Sequence, residues 1–306
     1  FYHPHPATPA PLWSRGLGDV YKRQPHTMAF RDMLDGVHCD GNPVSVDLEM
    51  FERAASSPGI GLLFEHVIEA PGHRAALDLL VRDRLCELFS VEPGELIDVL
   101  AWAMANPEPP VMVEASEAEV LQSKQEVVDL GSIPIPRHYE EDAGRYQSAS
   151  VIIAEYEGVR NMSYHRQLLV GSRRCVARFV PRHLRTMYEK ARSNGDEVTI
   201  GVVNGADATV LLAAAMSFDE DLDELTVAAA LHRRLYDEPL RMVRLPNGIA
   251  VPADSEYAME ARITLELEEE GPYVDITGTV DGVRQEPVIE YDLSLINISE
   301  PTSQEM

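Results

Sequence analysis

Apolar residues recur at helical spacing through the first third of the chain. Within 46–55 and 75–89 they fall every three or four positions, which predicts one buried helical face in each stretch. The segment 90–105 reads as a further helix with its first serine as the cap. The short apolar run 60–67 follows a Pro-Gly pair and is typical of a buried strand. We therefore predict a mixed α/β N-terminal domain over 25–110.

From residue 111 onward the pattern changes to short runs of branched apolar residues separated by turn signals. The runs that predict strands are 127–130, 149–156, 162–170, 175–180, 198–203, 242–245, 258–267 and 274–280. The runs that predict helices are 181–194, 207–216 and 223–235. Strands that follow one another through hairpin turns, with helices inserted, predict an α+β fold with a barrel-like second domain over 111–292. No glycine-rich dinucleotide or phosphate-binding loop is present.

The two ends of the chain have neither helical nor strand periodicity. We expect 1–24 and 293–306 to be non-native extensions, with Met28 as a natural start. A native disordered tail is the alternative reading of this composition.

Charge and cysteine usage limit the possible partners and compartment. The formal net charge is −25, which disfavours binding to nucleic acid and to anionic membranes. No apolar run approaches the roughly 20 residues that span a bilayer. The three cysteines are scattered and form no C-x-x-C motif, which favours a reducing compartment and a cytoplasmic protein.

Polar side chains interrupt an apolar stretch between residues 160 and 184. Asn161, Arg166 and His183 lie there, and burying such groups is costly unless each finds a partner. Asn161 and Arg166 are five residues apart, so strand alternation puts them on opposite faces unless a bulge intervenes. The alternative is a strand with a solvated arginine and a surface histidine.

Three carboxylates further along could supply the missing partners. Glu224 ends an acidic run, and an oxygen-rich set of Asn, Glu and one His suits manganese or magnesium better than zinc. Glu270 and Asp275 bracket a Gly-Pro turn that fixes their relative orientation. A solvated helix start and a charged strand exit are the respective alternatives.

These segments together resemble the UbiD-like decarboxylases, which use prenylated flavin mononucleotide (FMN). The resemblance covers most of residues 28–292 and is carried by an ordered set of motifs. They are Asp142-Ala-Gly-Arg-Tyr146, Asn161 with Arg166, His183 after a strand and a proline, Glu224 before a leucine, Val251-Pro-Ala-Asp-Ser-Glu256, and Glu270-Gly-Pro-Tyr-Val-Asp275.

The resemblance implies a split β-barrel flavin-binding domain and a carboxy-lyase. The reaction would be reversible non-oxidative decarboxylation of an aromatic or α,β-unsaturated acid through a covalent prenylated-FMN adduct, with Asp275 as proton donor. Asn161, His183 and Glu224 would hold Mn²⁺, which potassium often accompanies, and Arg166, Glu270 and Asp275 would form the catalytic network. The cofactor contacts would come from Tyr164, His165, Arg166, Arg178, Phe179, Val180, Leu184 and Arg185.

The sequence also departs from this family pattern. Asp275 stands where many members have glutamate, and Ala143 and Val274 replace usual glycines. The family's C-terminal domain has no counterpart, so we expect a truncated chain that is at risk of being inactive in this form. We expect a small carboxylic acid as substrate and a homo-oligomer at full length. A plain FMN-binding reductase and a non-catalytic subunit of a carboxylase complex are the alternatives.

Overall fold

The computed structural model describes residues 30–125, 128–217 and 222–296. Its α-helices are α1 (Glu49–Ala55), α2 (Arg82–Phe89), α3 (Leu96–Ala105), α4 (His183–Asn194), α5 (Ala208–Ala215) and α6 (Glu224–Tyr236). Its strands are β1 (His38–Asp40), β2 (Leu62–Phe64), β3 (Ala75–Leu77), β4 (Val111–Met112), β5 (Ser123–Gln125), β6 (Tyr146–Gln147), β7 (Val151–Tyr156), β8 (Val159–Tyr164), β9 (Gln167–Gly171), β10 (Arg174–Ala177), β11 (Val198–Asn204), β12 (Arg241–Arg244), β13 (Ala250–Pro252), β14 (Tyr257–Glu270), β15 (Tyr273–Val274), β16 (Val280–Asp281) and β17 (Arg284–Ile296). Short 3₁₀ segments cover 30–34, 115–117, 119–121 and 130–132.

One large antiparallel sheet organises the molecule. Its strand order is β6-β9-β10-β17-β14-β11-β7-β8, and β5 pairs with the end of β17. The curled sheet is a half-barrel and not a closed barrel, because its end strands β6 and β8 do not pair with each other among the described residues. Antiparallel pairing throughout confirms the prediction of an α+β fold rather than a doubly wound sheet.

Both faces of this sheet are covered, which explains its nearly continuous apolar strands. Along β7, Val151 and Ile153 pack into the hydrophobic cluster that includes α5 and α6. Ile152 and Ala154 point the other way, into the cluster that includes α4. Because successive side chains of β7 point to opposite faces of the sheet, this one strand contributes to both hydrophobic cores.

The N-terminal region adds a small sheet and shares a core with the rest. β1 pairs with β2 in parallel, β2 pairs with β3 antiparallel, and α1 covers them. Met33, Leu85 and Phe89 pack in the same cluster as Val151. The predicted boundary at residue 110 stays a prediction. No helix among the described residues is long and apolar enough to cross a bilayer.

Several predicted elements are confirmed in the structure. Helix α4 follows Pro181 and ends at Gly195, which has a left-handed φ of 81°. Asp207 and Asp223 cap α5 and α6, because each side chain accepts a hydrogen bond from a backbone N–H of the first turn. Glu157 and Gly158 form the hairpin turn between β7 and β8.

Two predicted helical features are wrong. The stretch 75–89 is not one helix, because Ala75–Leu77 pairs with β2 before α2 begins at Arg82. Ser90 does not cap α3; it ends α2 in a left-handed conformation, and α3 starts at Leu96 without a side-chain cap.

Three predicted strands also differ. The stretch 162–170 is two strands, because β8 ends at Tyr164 and β9 begins at Gln167. The stretch 274–280 is a turn between the two short strands β15 and β16. Residues 130–132 form a 3₁₀ turn, and residue 127 lies outside the described residues. The predicted extension 1–24 lies outside them too, as do residues 297–306 of the predicted extension 293–306, whereas β17 continues to Ile296.

Candidate active site

A buried ion pair between Arg166 and Glu270 forms one half of the site. Arg166 Nε donates to Glu270 Oε1 at 2.8 Å, and Nη2 donates to Oε2 at 2.9 Å. The Glu270 side chain is fully buried and that of Arg166 is 12% exposed. Arg166 reaches this partner because it lies in the gap between β8 and β9, where strand alternation no longer sets its direction.

The surroundings of Arg166 include residues that the sequence did not reveal. Asp281 Oδ2 lies 3.0 Å from Arg166 Nη2, and the guanidinium carbon lies 4.5 Å from the centre of the Tyr273 ring. Burial, reinforced by the charge of Glu270, raises the pKa of Tyr146, so its phenol stays protonated. Arg166 is thus held on three sides by two acids and an aromatic face.

Asp275 does not join this pair in the described structure. Its Oδ1 accepts hydrogen bonds from Thr277, through the backbone N–H at 2.8 Å and through the hydroxyl. These bonds, the Thr277 hydroxyl first, lower the pKa of Asp275. Burial and Glu270 do not raise this pKa, because the carboxylate is only partly buried and the turn stabilises its charge. Asp281 occupies the position beside Arg166 that we expected for Asp275.

Asn161, His183 and Glu224 form the other half of the site, and the structure brings them together. Asn161 Nδ2 donates to Glu224 Oε1 at 2.8 Å, and His183 Nδ1 lies 3.7 Å from the same oxygen. The backbone N–H of Met162 donates to Glu224 Oε2 at 3.0 Å. These residues come from β8, the first turn of α4 and the first turn of α6.

The start of α6 fixes Glu224 against β8. Asp223 caps the helix through Leu225 N at 2.9 Å, and its other oxygen accepts from Arg160 Nη1 at 3.0 Å. Asp223 and Glu224 therefore accept hydrogen bonds from the consecutive strand residues Arg160 and Asn161. Glu224 is 4% exposed, and burial raises its pKa above the ordinary value.

The donor set fits a divalent cation. A buried carboxylate is stabilised when a cation lies beside it, and amide, carboxylate and imidazole donors suit Mn²⁺. No group of three or more His, Cys, Asp and Glu side chains in the described ranges is arranged to hold a metal. The candidate set has two such side chains, His183 and Glu224, and its third metal-binding atom would be the amide oxygen of Asn161.

The segments predicted to contact the cofactor lie side by side. Arg178 N donates to Arg166 O at 3.1 Å, and His165 Nδ1 lies 3.2 Å from Arg178 O. Phe179 and Leu184 are buried in the α4 core. The other predicted contacts are half-buried Tyr164, exposed Val180, and Arg178 and Arg185, which both pair with Glu286.

A cavity of about 340 Å³ opens beside these segments. It is lined by Arg178, Phe179, Pro181, Arg185, Thr186, Glu189, Arg284, Gln285 and Glu286. Three of these nine residues are predicted cofactor contacts, which links the cavity to the candidate site.

Comparison with known proteins decides the family. Residues 111–293 match the UbiD family, described as the 3-octaprenyl-4-hydroxybenzoate carboxy-lyase Rift-related domain. The chain belongs to the UbiD family. This confirms the resemblance that the sequence motifs indicated.

Individual relatives agree with this assignment. The chain is 35% identical to an anhydromevalonate phosphate decarboxylase of Methanosarcina mazei over 271 residues, which covers 86% of this chain and 61% of that protein. It is 42% identical over 173 residues to the protein of that name in Aeropyrum pernix, which covers 56% of this chain and 38% of that protein. The chain thus spans less than two thirds of these relatives.

A solved structure shows the same fold. An evolved dimeric form of the UbiD-class enzyme HmfF from Pelotomaculum thermopropionicum, in complex with prFMN, superposes with a TM-score of 0.84 at 29% identity. The match covers 89% of this chain and 65% of the HmfF chain.

Proposed function

We propose that the complete protein is a prenylated-FMN-dependent decarboxylase. The observation that carries the proposal is the pairing, in a UbiD-family chain, of a buried Arg166–Glu270 pair with the convergent Asn161, His183 and Glu224. The flavin-binding split barrel, an Mn²⁺ ion with accompanying K⁺, a homo-oligomer and a cytoplasmic location belong to the same proposal.

The residues of this chain would divide the work between binding and proton transfer. Asn161, His183 and Glu224 would hold Mn²⁺. Arg166 would orient the substrate carboxylate with its planar fork, and Glu270 would keep that fork in place. Asp275 would protonate the carbon that loses CO₂, after its turn releases it from Thr277. Prenylated FMN, when bound, supplies an electron sink for decarboxylation.

The relatives favour one substrate class over the other. The Methanosarcina mazei and Aeropyrum pernix relatives are named for anhydromevalonate phosphate, an isoprenoid acid, rather than for an aromatic acid. We therefore propose a phosphorylated α,β-unsaturated acid as substrate. Release of CO₂ from anhydromevalonate phosphate, with benzoates as the comparison, tests this choice.

Loss of the metal site is the direct test of the whole proposal. We expect Glu224→Ala to lose Mn²⁺ and FMN together, measured by metal analysis and flavin absorbance after purification. Glu155→Ala is the control, because Glu155 is a partly exposed acid on neighbouring β7. Retention of both ligands by Glu224→Ala would contradict the proposal. Plain FMN bound without metal would favour the reductase alternative.

A further inference from the structure

A buried acid outside the candidate site joins two distant parts of the chain. Asp142 is 3% exposed and begins the motif Asp142-Ala-Gly-Arg-Tyr146. Its Oδ2 accepts a hydrogen bond from the backbone N–H of Tyr139 at 3.1 Å, within the same loop. Its Oδ1 accepts one from the backbone N–H of Val274 at 2.8 Å, although these two residues lie 132 positions apart. Asp142 therefore connects its own loop to the β15–β16 hairpin.

The described hydrogen bonds of Asp142 come from backbone N–H groups, not from arginine or lysine side chains. His138 Nδ1 lies 4.0 Å from Asp142 Oδ2, and burial lowers the pKa of that histidine, so its ring is neutral near pH 7. Burying a carboxylate without a cationic partner is costly unless its oxygens are hydrogen-bonded. An acid that only filled space would be unfavourable here, so the two N–H groups explain why this position carries aspartate.

The hairpin that Asp142 contacts is too short to be stable by itself. Strands β15 and β16 form two residue pairs, Tyr273 with Asp281 and Val274 with Val280. Even a longer two-stranded ribbon is marginally stable at best in isolation. The position of this hairpin therefore depends on its contacts with the rest of the molecule.

Hydrogen bonds to the 142–146 segment flank Tyr273 on both sides along the chain. Before it, the carbonyl oxygen of Pro272 accepts from Ala143 N at 2.8 Å and from the Tyr146 hydroxyl at 3.3 Å. After it, the next backbone N–H donates to Asp142. Of these three bonds, only the one to Asp142 restrains the chain beyond Tyr273.

We propose that Asp142 is a positioning residue for Arg166. By holding the hairpin, it places the Tyr273 ring 4.5 Å from the guanidinium carbon and Asp281, which is paired with Tyr273, 3.0 Å from Nη2. One buried carboxylate thus fixes two neighbours of the arginine. The inference rests on the proposed function, in which Arg166 binds the substrate carboxylate, but the placement of the hairpin can be tested without cofactor, metal or substrate.

Removing the carboxylate should release the hairpin. A hydrogen bond to a charged group contributes a factor of about 10–150 to an equilibrium constant, so Asp142→Ala should accelerate amide exchange in 273–281 by about that factor. Asp129→Ala is the control, because Asp129 accepts the backbone N–H of Gly131 at 2.9 Å within its own turn and should leave 273–281 unchanged. Mass spectrometry of exchanged peptides measures both variants.

Helix α6 is the internal reference in these exchange measurements. Its amides should exchange in Asp142→Ala as they do in the wild type. Equal acceleration in α6 and in 273–281 would mean that Asp142 stabilises the fold as a whole, and the inference would fail. Unchanged exchange in 273–281 would overturn it as well.

The side-chain N–H signal of Arg166 shows whether release of the hairpin reaches the arginine. In ¹H–¹⁵N spectra of the cofactor-free chain, the Arg166 Nε–H signal should move in Asp142→Ala, because the nearby Tyr273 ring is no longer held. It should stay in place in Asp129→Ala. The comparison within the loop is Arg145, whose Nε donates to Ile135 O at 2.7 Å. A shift of the Arg145 signal without one of Arg166 would restrict Asp142 to shaping its own loop and refute the proposal.

A measurement on the wild type does not depend on any variant folding. After correction for intrinsic rates, the Val274 amide should exchange about tenfold or more slowly than that of Ile276, whose residue is fully exposed. Equal rates would overturn the inference. Retention of metal and FMN by Glu224→Ala would instead remove the proposed function and leave these results on the hairpin unchanged.

Discussion

Replacing Glu270 by glutamine should destabilise the protein strongly, because it leaves a buried guanidinium without its full counter-charge. Glu270 is fully buried, Arg166 is 12% exposed, and the two hydrogen bonds between them are 2.8 and 2.9 Å long. Removing one partner of such a pair costs about 3–5 kcal/mol. Glutamine keeps the volume and one acceptor, and Asp281 still faces the arginine, so we expect about 3 kcal/mol.

The same strand provides a matched control. Glu268 lies two residues before Glu270 on β14 and pairs with Arg174 at 2.9 Å, a similar length, but its side chain is 40% exposed. Surface pairs contribute about 0–1 kcal/mol, so Glu268→Gln should lie within that range of wild type. Burial is the main difference between the two pairs.

Urea unfolding followed by far-ultraviolet circular dichroism measures both free energies of unfolding, provided that the slope against urea stays constant. Equal losses for Glu270→Gln and Glu268→Gln would refute the argument from burial. The double variant Arg166→Met/Glu270→Leu should be more stable than Glu270→Gln, because it removes both buried charges. Further loss in that variant would show that the pair itself stabilises the fold.

Three further predictions concern the other acids and a close contact. Asp281→Asn should lower KM for an anionic substrate and leave kcat unchanged, because it removes a carboxylate that competes with the substrate at Arg166. Asp275→Asn should instead abolish kcat. The reverse pattern in steady-state assays would assign proton transfer to Asp281. Burial raises the pKa of Asp254 to about 6, so the stability that its protonated form contributes is present below pH 4 and is lost as pH rises to about 6. The free energy of unfolding of Asp254→Asn relative to wild type should therefore increase over that window by at most about 3 kcal/mol in urea titrations. A difference that does not depend on pH would contradict this. Gly201→Ala should cost about 1–3 kcal/mol, because the new methyl group would lie 2.9 Å from a neighbouring valine side chain; unchanged thermal unfolding would contradict it.

Local patterns were sufficient wherever the decisive interaction is local. The predicted helices 207–216 and 223–235 begin where the Asp207 and Asp223 caps bond within their own first turn, and the predicted helix 181–194 ends before Gly195, so local sequence is sufficient there. The stretch 75–89 failed because its first residues gain a strand partner, β2, that local spacing does not show.

The candidate site was predictable to the extent that ordered motifs carry it. They indicated Arg166 with Glu270, and Asn161 with His183 and Glu224, which the structure brings together. They did not indicate Asp281, whose place beside Arg166 depends on how the β15–β16 hairpin folds back. The turn that holds Asp275 through Thr277 is likewise a matter of loop conformation.

Two signals at the site could have been read from the sequence. Asn161 and Ser163 lie two residues apart on β8, with His165 just beyond its end, and this spacing is visible in the sequence beside the five-residue spacing to Arg166. The spacing conflict itself indicated the break between β8 and β9 that the structure shows.

Asp223 and Glu224 accept hydrogen bonds from two successive residues of β8, and this would link binding of the proposed ion to the folding of a whole helix. Helix α6 has 13 residues and begins at the candidate ligand, so it extends about 20 Å from the proposed site. Free energy gained by coordination there would also oppose fraying of that helix. Amide protons at the far end of α6, remote from any ligand, should therefore exchange more slowly once Mn²⁺ is present.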